Sequence, residues 1–337
     1  MEATFFPFTP QWDRPQLDAR EMRRRSSFEW WYFDLQTEDG LSLVVVFSRR
    51  NPVFNGSKPS IYVEYDDGRT RLHRVRNYAP ATFAWTEGEP AVLRIGSSTV
   101  QLHGSEAPEY AMVLRMPEIE ADLELHPMHR GFLPGESGCY FRDAADPWRR
   151  TCVSFSAPLM RIEGSIRSGG SSRRVSGRGY HDHPWGTEQM FYTHRRWSWA
   201  RISSQQLGAM FADVKPGPGF VGSLRFFYLG EFGTFEPRIS DDLRITTADA
   251  HRDSLFGIRF PHEVVADAEG RRWSLHCQQS LLNTLIYNRS RVSWQAGAAQ
   301  GTGWVEDFDL PPWLRSAAAL GSRIAAFFWR PFPYFGQ

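Results

Sequence analysis

Apolar and polar residues alternate along most of this chain in short runs, punctuated by glycine, proline and aspartate. A period of two is that of a β-strand whose two faces meet different surroundings. The pattern predicts strands at 28–34, 41–47, 60–65, 70–75, 91–95, 100–103, 110–116 and 121–125. Glu38-Asp39-Gly40 and Asp67-Gly68 lie between such runs as hairpin turns. A loop-rich stretch, 126–140, follows, and strands resume at 151–157 and 160–166. Past residue 186 the rhythm continues at 189–192, 196–202, 206–214, 222–228, 243–246, 256–260, 263–267, 273–278, 286–292 and 303–308. Many short strands with almost no helical periodicity predict an all-β fold of antiparallel barrels or sandwiches. Only the tail differs. After Pro311-Pro312, residues 313–329 carry Leu314, Ala317, Leu320, Ile324, Phe327 and Phe328 at helical spacing, beside Arg315, Arg323 and Arg330.

At 337 residues the chain suits two domains. The strand rhythm divides it into a leader (1–25), an N-terminal domain (26–176), a C-terminal domain (177–310) and a helical tail (311–337). Each half is long enough for a barrel of about eight to ten strands, wide enough to hold one small ligand. An aromatic fraction of 15% suits both strands and apolar pockets. A net charge of +1 gives no field that would attract nucleic acid. Residues 1–18 lack the basic start and apolar run of a signal peptide, and no run of about 18 apolar residues is present to span a membrane. A cytoplasmic protein is expected, with the basic, aromatic tail helix either docked on its own chain or touching a membrane surface. The cysteines, Cys139, Cys152 and Cys277, match no zinc or redox spacing. Cys139 and Cys152 could pair if their strands are neighbours, but free thiols are the expectation in a reducing compartment.

One stretch concentrates chemistry: Gly177-Arg178-Gly179-Tyr180-His181-Asp182-His183-Pro184-Trp185-Gly186. On an extended backbone His181, His183 and Trp185 point one way, Tyr180 and Asp182 the other. Pro184 cannot donate a ladder hydrogen bond, so an edge, a bulge or a strand exit is expected there. Glycines at 177, 179 and 186 suit close backbone approach. Such residues can serve a reaction, or form a buried hydrogen-bonded network that ties sheets together. Two histidines at i and i+2 can also share a metal ion, but a third ligand would have to come from elsewhere, and no metal site is assigned.

The run Tyr180–Gly186 resembles the signature of the carotenoid 1,2-hydratase (hydroxyneurosporene synthase) family. Glu29-Trp30-Trp31-Tyr32, Trp197-Ser198-Trp199-Ala200-Arg201 and Gly301-Thr302-Gly303-Trp304-Val305-Glu306 are similar to other strands of that family, so the resemblance spans about residues 28–307. It implies two lipocalin-like domains and cofactor-independent hydration of the terminal double bond of an acyclic carotenoid or related isoprenoid. The family's His-x-Trp pair matches His183 and Trp185. Its Tyr-x-Asp pair, whose Asp supplies the proton, falls on Phe211-Ala212-Asp213. The carboxylate is kept, the phenol is replaced by Phe211, and Pro184 stands where the motif usually has Asn.

Asp213, His183 and Trp185 are therefore the expected catalytic residues, with Phe211, Tyr180, His181 and Trp199 against an apolar substrate. Protonating an isolated alkene needs an acid held in apolar surroundings, where its pKa rises, and aromatic faces to stabilise the cation. Asp182, Glu29 and Glu306 are read as structural ties. Relatives of the same fold cyclise isoprenoids or catalyse Diels–Alder-type additions, so a cyclase is the alternative reaction, and a carrier of an apolar ligand the non-catalytic alternative.

Overall fold

A computed structural model describes residues 4–51, 58–104, 108–248, 251–252, 259–283 and 287–309. It divides into two compact units. One comprises Phe5–Cys139 and Thr151–Gln189; the other comprises Met1–Thr4, Tyr140–Arg150 and Met190–Gln337.

In the first unit an antiparallel sheet runs in the order Arg71–Asn77, Ser60–Asp66, Ser42–Arg50, Phe28–Thr37, Ser171–Gly186, Arg150–Ser168, Ile119–Pro127, Glu109–Met116, Ser98–His103, Ala91–Ile95, Phe83–Thr86. Phe33, Phe47 and Val63 from one end of this path and Leu93, Val100 and Leu114 from the other share one buried cluster. Flat, with strands 4.7–4.9 Å apart, the path would be roughly 50 Å wide. The shared core therefore requires the sheet to curl around its inner face.

The second unit repeats the device with a nine-stranded sheet: Arg238–Ser240, Leu224–Glu231, Leu207–Pro216, His194–Ser203, Ala299–Asp309, Tyr287–Ala296, Arg271–Asn283, Glu263–Ala268, Leu243–Ala248. Its core gathers Ala200, Phe211, Phe227, Leu243, Trp273, Trp294 and Val305. The all-β expectation is borne out, and no described helix is long and apolar enough to cross a membrane.

Several boundaries differ from the sequence reading. The strands expected at 151–157 and 160–166 are one, Arg150–Ser168, with register shifts between Ser154 and Ala157 and between Ala157 and Met160. Pro158, which has no N–H to donate, lies within the second shift. Residues 189–192, expected as a strand, give way to a short helix, Met190–Thr193. Phe83–Thr86 is a strand that the alternation did not single out. The motif strand Ser171–Gly186 completes the first unit instead of opening the second, because it pairs with Phe28–Thr37 and Arg150–Ser168. The leader also belongs to the first unit: Phe5–Pro7 pairs with Phe132–Pro134, and a 3-10 turn follows at Pro10–Asp13. The tail helix expected over 313–329 lies outside the described residues, as do 256–258 of the strand expected at 256–260.

Free thiols at Cys139 and Cys152 are corrected. The two form a disulfide, because Gly138 and Val153 are hydrogen-bonded across the neighbouring backbones and bring the side chains together. A bridge spanning 13 positions removes loop-closure freedom from the unfolded chain. Replacing both cysteines by serine is expected to lower unfolding free energy by about 3 kcal/mol, read from the shift in urea midpoint at constant slope.

Candidate active site

The motif strand is central, with a neighbour on each side. Of the edge, bulge or strand exit that Pro184 suggested, the edge is excluded, and Pro184 lies two residues before the strand ends at Gly186. On the side of Phe28–Thr37, pairing runs from Gly177↔Thr37 to Asp182↔Tyr32 and resumes at Trp185↔Glu29. Pro184 falls in that gap, where its missing N–H leaves no acceptor stranded. A Cβ on Gly177 would strike the Gln36 carbonyl, and one on Gly179 the Asp34 carbonyl, so close approach requires glycine at both positions. The two faces divide as alternation predicts. His181 stacks on Phe33, ring centroids 4.0 Å apart, and His183 stacks on Trp31 at 4.4 Å, both inside the sheet's curve. Tyr180 lies on the opposite face, where its hydroxyl donates to Asp182 Oδ2 at 2.6 Å. Tyr180 and His181, both expected at substrate, therefore do not share a surface.

The partner of His181 comes from the leader. Asp13 is 2% exposed. Its Oδ2 lies 3.2 Å from His181 Nε2 and accepts the Tyr110 hydroxyl at 2.6 Å; Oδ1 accepts the Ser156 hydroxyl at 2.6 Å. His181 Nδ1 donates to the Tyr32 carbonyl at 2.9 Å. Both ring nitrogens thus face oxygen atoms. Burial alone would raise the Asp13 pKa; the charge and hydrogen bond of His181, the charge of His183 and the Ser156 hydroxyl outweigh it and hold the group below its ordinary value. No local signal marks Asp13, which stands 168 positions before His181.

His183 and Trp185 hold the same leader. His183 Nδ1 donates to the Trp12 carbonyl at 2.7 Å, and its Nε2 lies 3.4 Å from Glu29 Oε1. Trp185 stacks against Trp12 at 6.1 Å and packs with Leu17 and Cys152. Glu29 accepts the Gln16 and Leu17 amides and pairs with Arg49 at 2.9 Å, so it is a tie, but to the leader. His183 is fully buried and Trp185 is 3% exposed; the contacts of both are structural. Among the described residues no cluster of three His, Cys, Asp or Glu side chains is placed to hold a metal ion.

Asp213, Phe211 and Trp199 belong to the second unit. Cross-strand partners share a face. Phe211 pairs with Ala200 and lies in the core; Trp199 pairs with Ala212 and so faces the other way. Trp199 and Phe211, both expected against substrate, thus lie on opposite faces of their sheet. Asp213 is on the inner face, two positions on from Phe211. Its side chain is 23% exposed and accepts from Lys215 Nζ at 2.7 Å. These are not the dry surroundings expected of a neutral acid.

A second carboxyl on that face was not singled out in the sequence. Ser198 is in register with Asp213 on one side and with Asp307 on the other, and Asp307 with Asn288 beyond. Asp213, Ser198, Asp307 and Asn288 thus form one row across four adjacent strands, next to the layer of Ala200, Phe211 and Val305. The Ser198 hydroxyl donates to Asp307 Oδ1 at 2.6 Å. Asp307 is 6% exposed, and burial pushes its pKa up to about 6, against smaller lowering effects of Ser198 and Arg196. Cys277, which packs against this core, is pushed up to about 12 by burial and then by the Asp307 charge, so it remains a thiol. Glu306 is on the opposite face; its pKa is raised by burial and partly restored by Arg289.

Two antiparallel sheets, each curled on its own core, define a lipocalin-like β protein. No family model matches the chain. Its sequence is similar to hydroxyneurosporene dehydrogenase of Chlorobaculum tepidum, 26% identical over 223 residues. That match spans 56% of this chain and 56% of the relative, little more than half of either. A crystal structure of a protein assigned as AttH from Nitrosomonas europaea covers 88% of this chain and 97% of its own at TM-score 0.61 and 16% identity. CghA with Sch210972 follows at TM-score 0.59 and 12% identity, covering 85% of this chain and 89% of its own. Kievitone hydratase from Nectria haematococca matches at TM-score 0.54 and 13% identity, covering 88% of this chain and 93% of its own. At these identities the structural likeness is one of fold. Together with the sequence match it bears out the resemblance to the carotenoid-hydratase group.

Two stability outcomes are expected from the carboxyl groups. Asp13→Asn leaves a buried imidazole without its anion and is expected to cost about 3–5 kcal/mol by urea unfolding at neutral pH. Because the folded Asp13 pKa lies below the unfolded 3.8, its contribution is present above 3.8 and is lost as pH falls through the folded value, so the gap between variant and wild type narrows in acid. Asp307 has the opposite sign. Its folded pKa lies above the unfolded 3.8, so its contribution is full below 3.8 and is lost as pH rises through about 6. Asp307→Asn should therefore be more stable than wild type at neutral pH by up to ~3 kcal/mol, with the advantage vanishing near pH 4 in the same assay.

Proposed function

We propose that the protein is a cofactor-independent hydratase that adds water across the terminal C1–C2 double bond of an acyclic carotenoid or a related isoprenoid. The observation that carries this reading is the row of Asp213, Ser198 and Asp307 on an inner β-face otherwise lined by Phe211, Phe227, Trp273 and Trp294. The similarity to a hydroxyneurosporene protein supports the substrate class, and the fold shared with kievitone hydratase supports the reaction type.

The chemistry needs few groups. A carboxylic acid protonates the less substituted alkene carbon, leaving a tertiary carbocation. Water attacks the cation and loses a proton. An acid held against the alkene gains from orientation, and aromatic faces stabilise the cation by about 0.5–2 kcal/mol each. The resemblance puts the acid at Asp213, with Phe211 beside it. The contacts of His183 and Trp185 fix the leader to the motif strand.

Purified protein incubated with neurosporene or lycopene in deuterated buffer should yield a tertiary alcohol carrying one deuterium at C2. Asp213→Asn should slow formation by ~100-fold or more. A cyclic product would identify the cyclase instead, and stoichiometric binding without product the carrier. Unchanged turnover in Asp213→Asn would remove Asp213 from the chemistry.

A further inference from the structure

The hydratase reading gives no task to Asp307, a buried carboxyl on the inner face, and any catalytic task for it rests on that same reading. We propose that Asp307, in place of the Asp213 that the resemblance implies, is the proton donor of the site and that Asp213 takes the proton released by the attacking water. The geometry is that of two carboxyl groups on one face in different surroundings. Asp307 lies in the polar row one layer from Phe211 and Val305, 6% exposed, with the Ser198 hydroxyl on one oxygen. Asp213 occupies the same row two strands away, at the rim, with the Lys215 ammonium at 2.7 Å. Two strand spacings put their backbones roughly 10 Å apart. Only the small Ser198 side chain stands between them in the row. A buried acid and a solvated, cation-paired carboxylate are the environments that divide one chemistry into a donor and an acceptor.

The step balances. The Asp307 O–H breaks as the alkene π pair forms a C–H bond at the less substituted carbon, leaving the tertiary cation and the Asp307 carboxylate. A water lone pair forms the C–O bond, and the oxonium proton passes to the Asp213 carboxylate. Asp213 releases its proton to solvent at the rim, and Asp307 regains one from water that enters once the product has left, which returns both groups to their starting states. The net change is alkene plus water to tertiary alcohol.

The charged and titratable groups facing Asp307 are few. Asp309 is on its own strand and Arg196 on the neighbouring one. Cys277 comes from the strand Arg271–Asn283, while Asp213 with Lys215, and Arg225 beyond, close the row. Burial sets the balance of these effects, with Asp307 raised to about 6. The acid form is needed, so kcat/KM should fall tenfold per pH unit above about 6. The Ser198 hydroxyl stabilises the carboxylate, so Ser198→Ala raises the Asp307 pKa and moves that fall to higher pH. A purely structural Asp307 would leave the profile where it is.

Deuterium entry separates the two roles. In deuterated buffer with neurosporene, reversible protonation labels recovered substrate at C2, and capture by water gives alcohol. Asp307→Asn is expected to lose both label and alcohol by at least ~100-fold, while far-UV circular dichroism stays that of the wild type. Asp213→Asn is expected to lose alcohol but retain label in recovered substrate. Should Asp307→Asn fail to fold, Asp307→Glu, which keeps the carboxyl, must retain label and a pH-dependent fall in rate. Wild-type alcohol with undiminished alcohol in Asp307→Asn, or label lost in Asp213→Asn, overturns the assignment and leaves the hydratase reading standing. A wild type that yields neither label nor alcohol overturns both.

Discussion

A paired β-strand offers each side chain one of two faces, and its hydrogen-bonded neighbours fix which. The candidate chemistry of this protein hangs on that constraint. Ser198 belongs to the row of Asp213 and Asp307 because its strand is paired on both sides, and Trp199, one residue on, is excluded from that row for the same reason. In the motif strand the same rule sends His181 and His183 inward and Tyr180 outward. A shift of one residue in any of these pairings would exchange the two sets.

The units bury a carboxyl group in opposite ways. Asp13 is surrounded by donors: an imidazole, a phenol and a hydroxyl all reach its oxygens, and the sum favours the anion despite burial. Asp307 receives one hydroxyl, and desolvation wins. The difference lies in the number and charge of donors, since both groups are almost fully enclosed. The first arrangement fixes a segment in place; the second leaves a carboxyl whose pKa is raised by burial.

Much of the fold was legible because alternation is a local signal. Most of the expected strands from 28 to 125 coincide with observed ones, and the inward and outward assignment within the motif holds. What escaped depends on distant residues. The alliance of Asp13 with His181 links a proline-flanked leader to a strand far along the chain, and no spacing rule connects them. Asp307 follows Glu306 in the sequence, and nothing there says which of two adjacent acids faces the inner layer. The helix at Met190–Thr193 interrupts a segment whose apolar residues read equally well as strand. The Cys139–Cys152 bridge depended on strand adjacency, which the sequence left open.

The order of segments along the chain also carries a consequence in time. The first unit is built from Phe5–Cys139 and Thr151–Gln189, while the intervening Tyr140–Arg150 belongs with residues that come after Gln189. On the ribosome, the strand that seats the leader is among the last pieces of its unit to emerge. Asp13 must wait for His181, held meanwhile in an incomplete sheet, and Tyr140–Arg150 waits longer still for partners not yet translated. Synthesis of this protein is thus a sequence of deferred closures, in which nascent chains shorter than about 189 residues present an unfinished apolar sheet to whatever chaperones attend them.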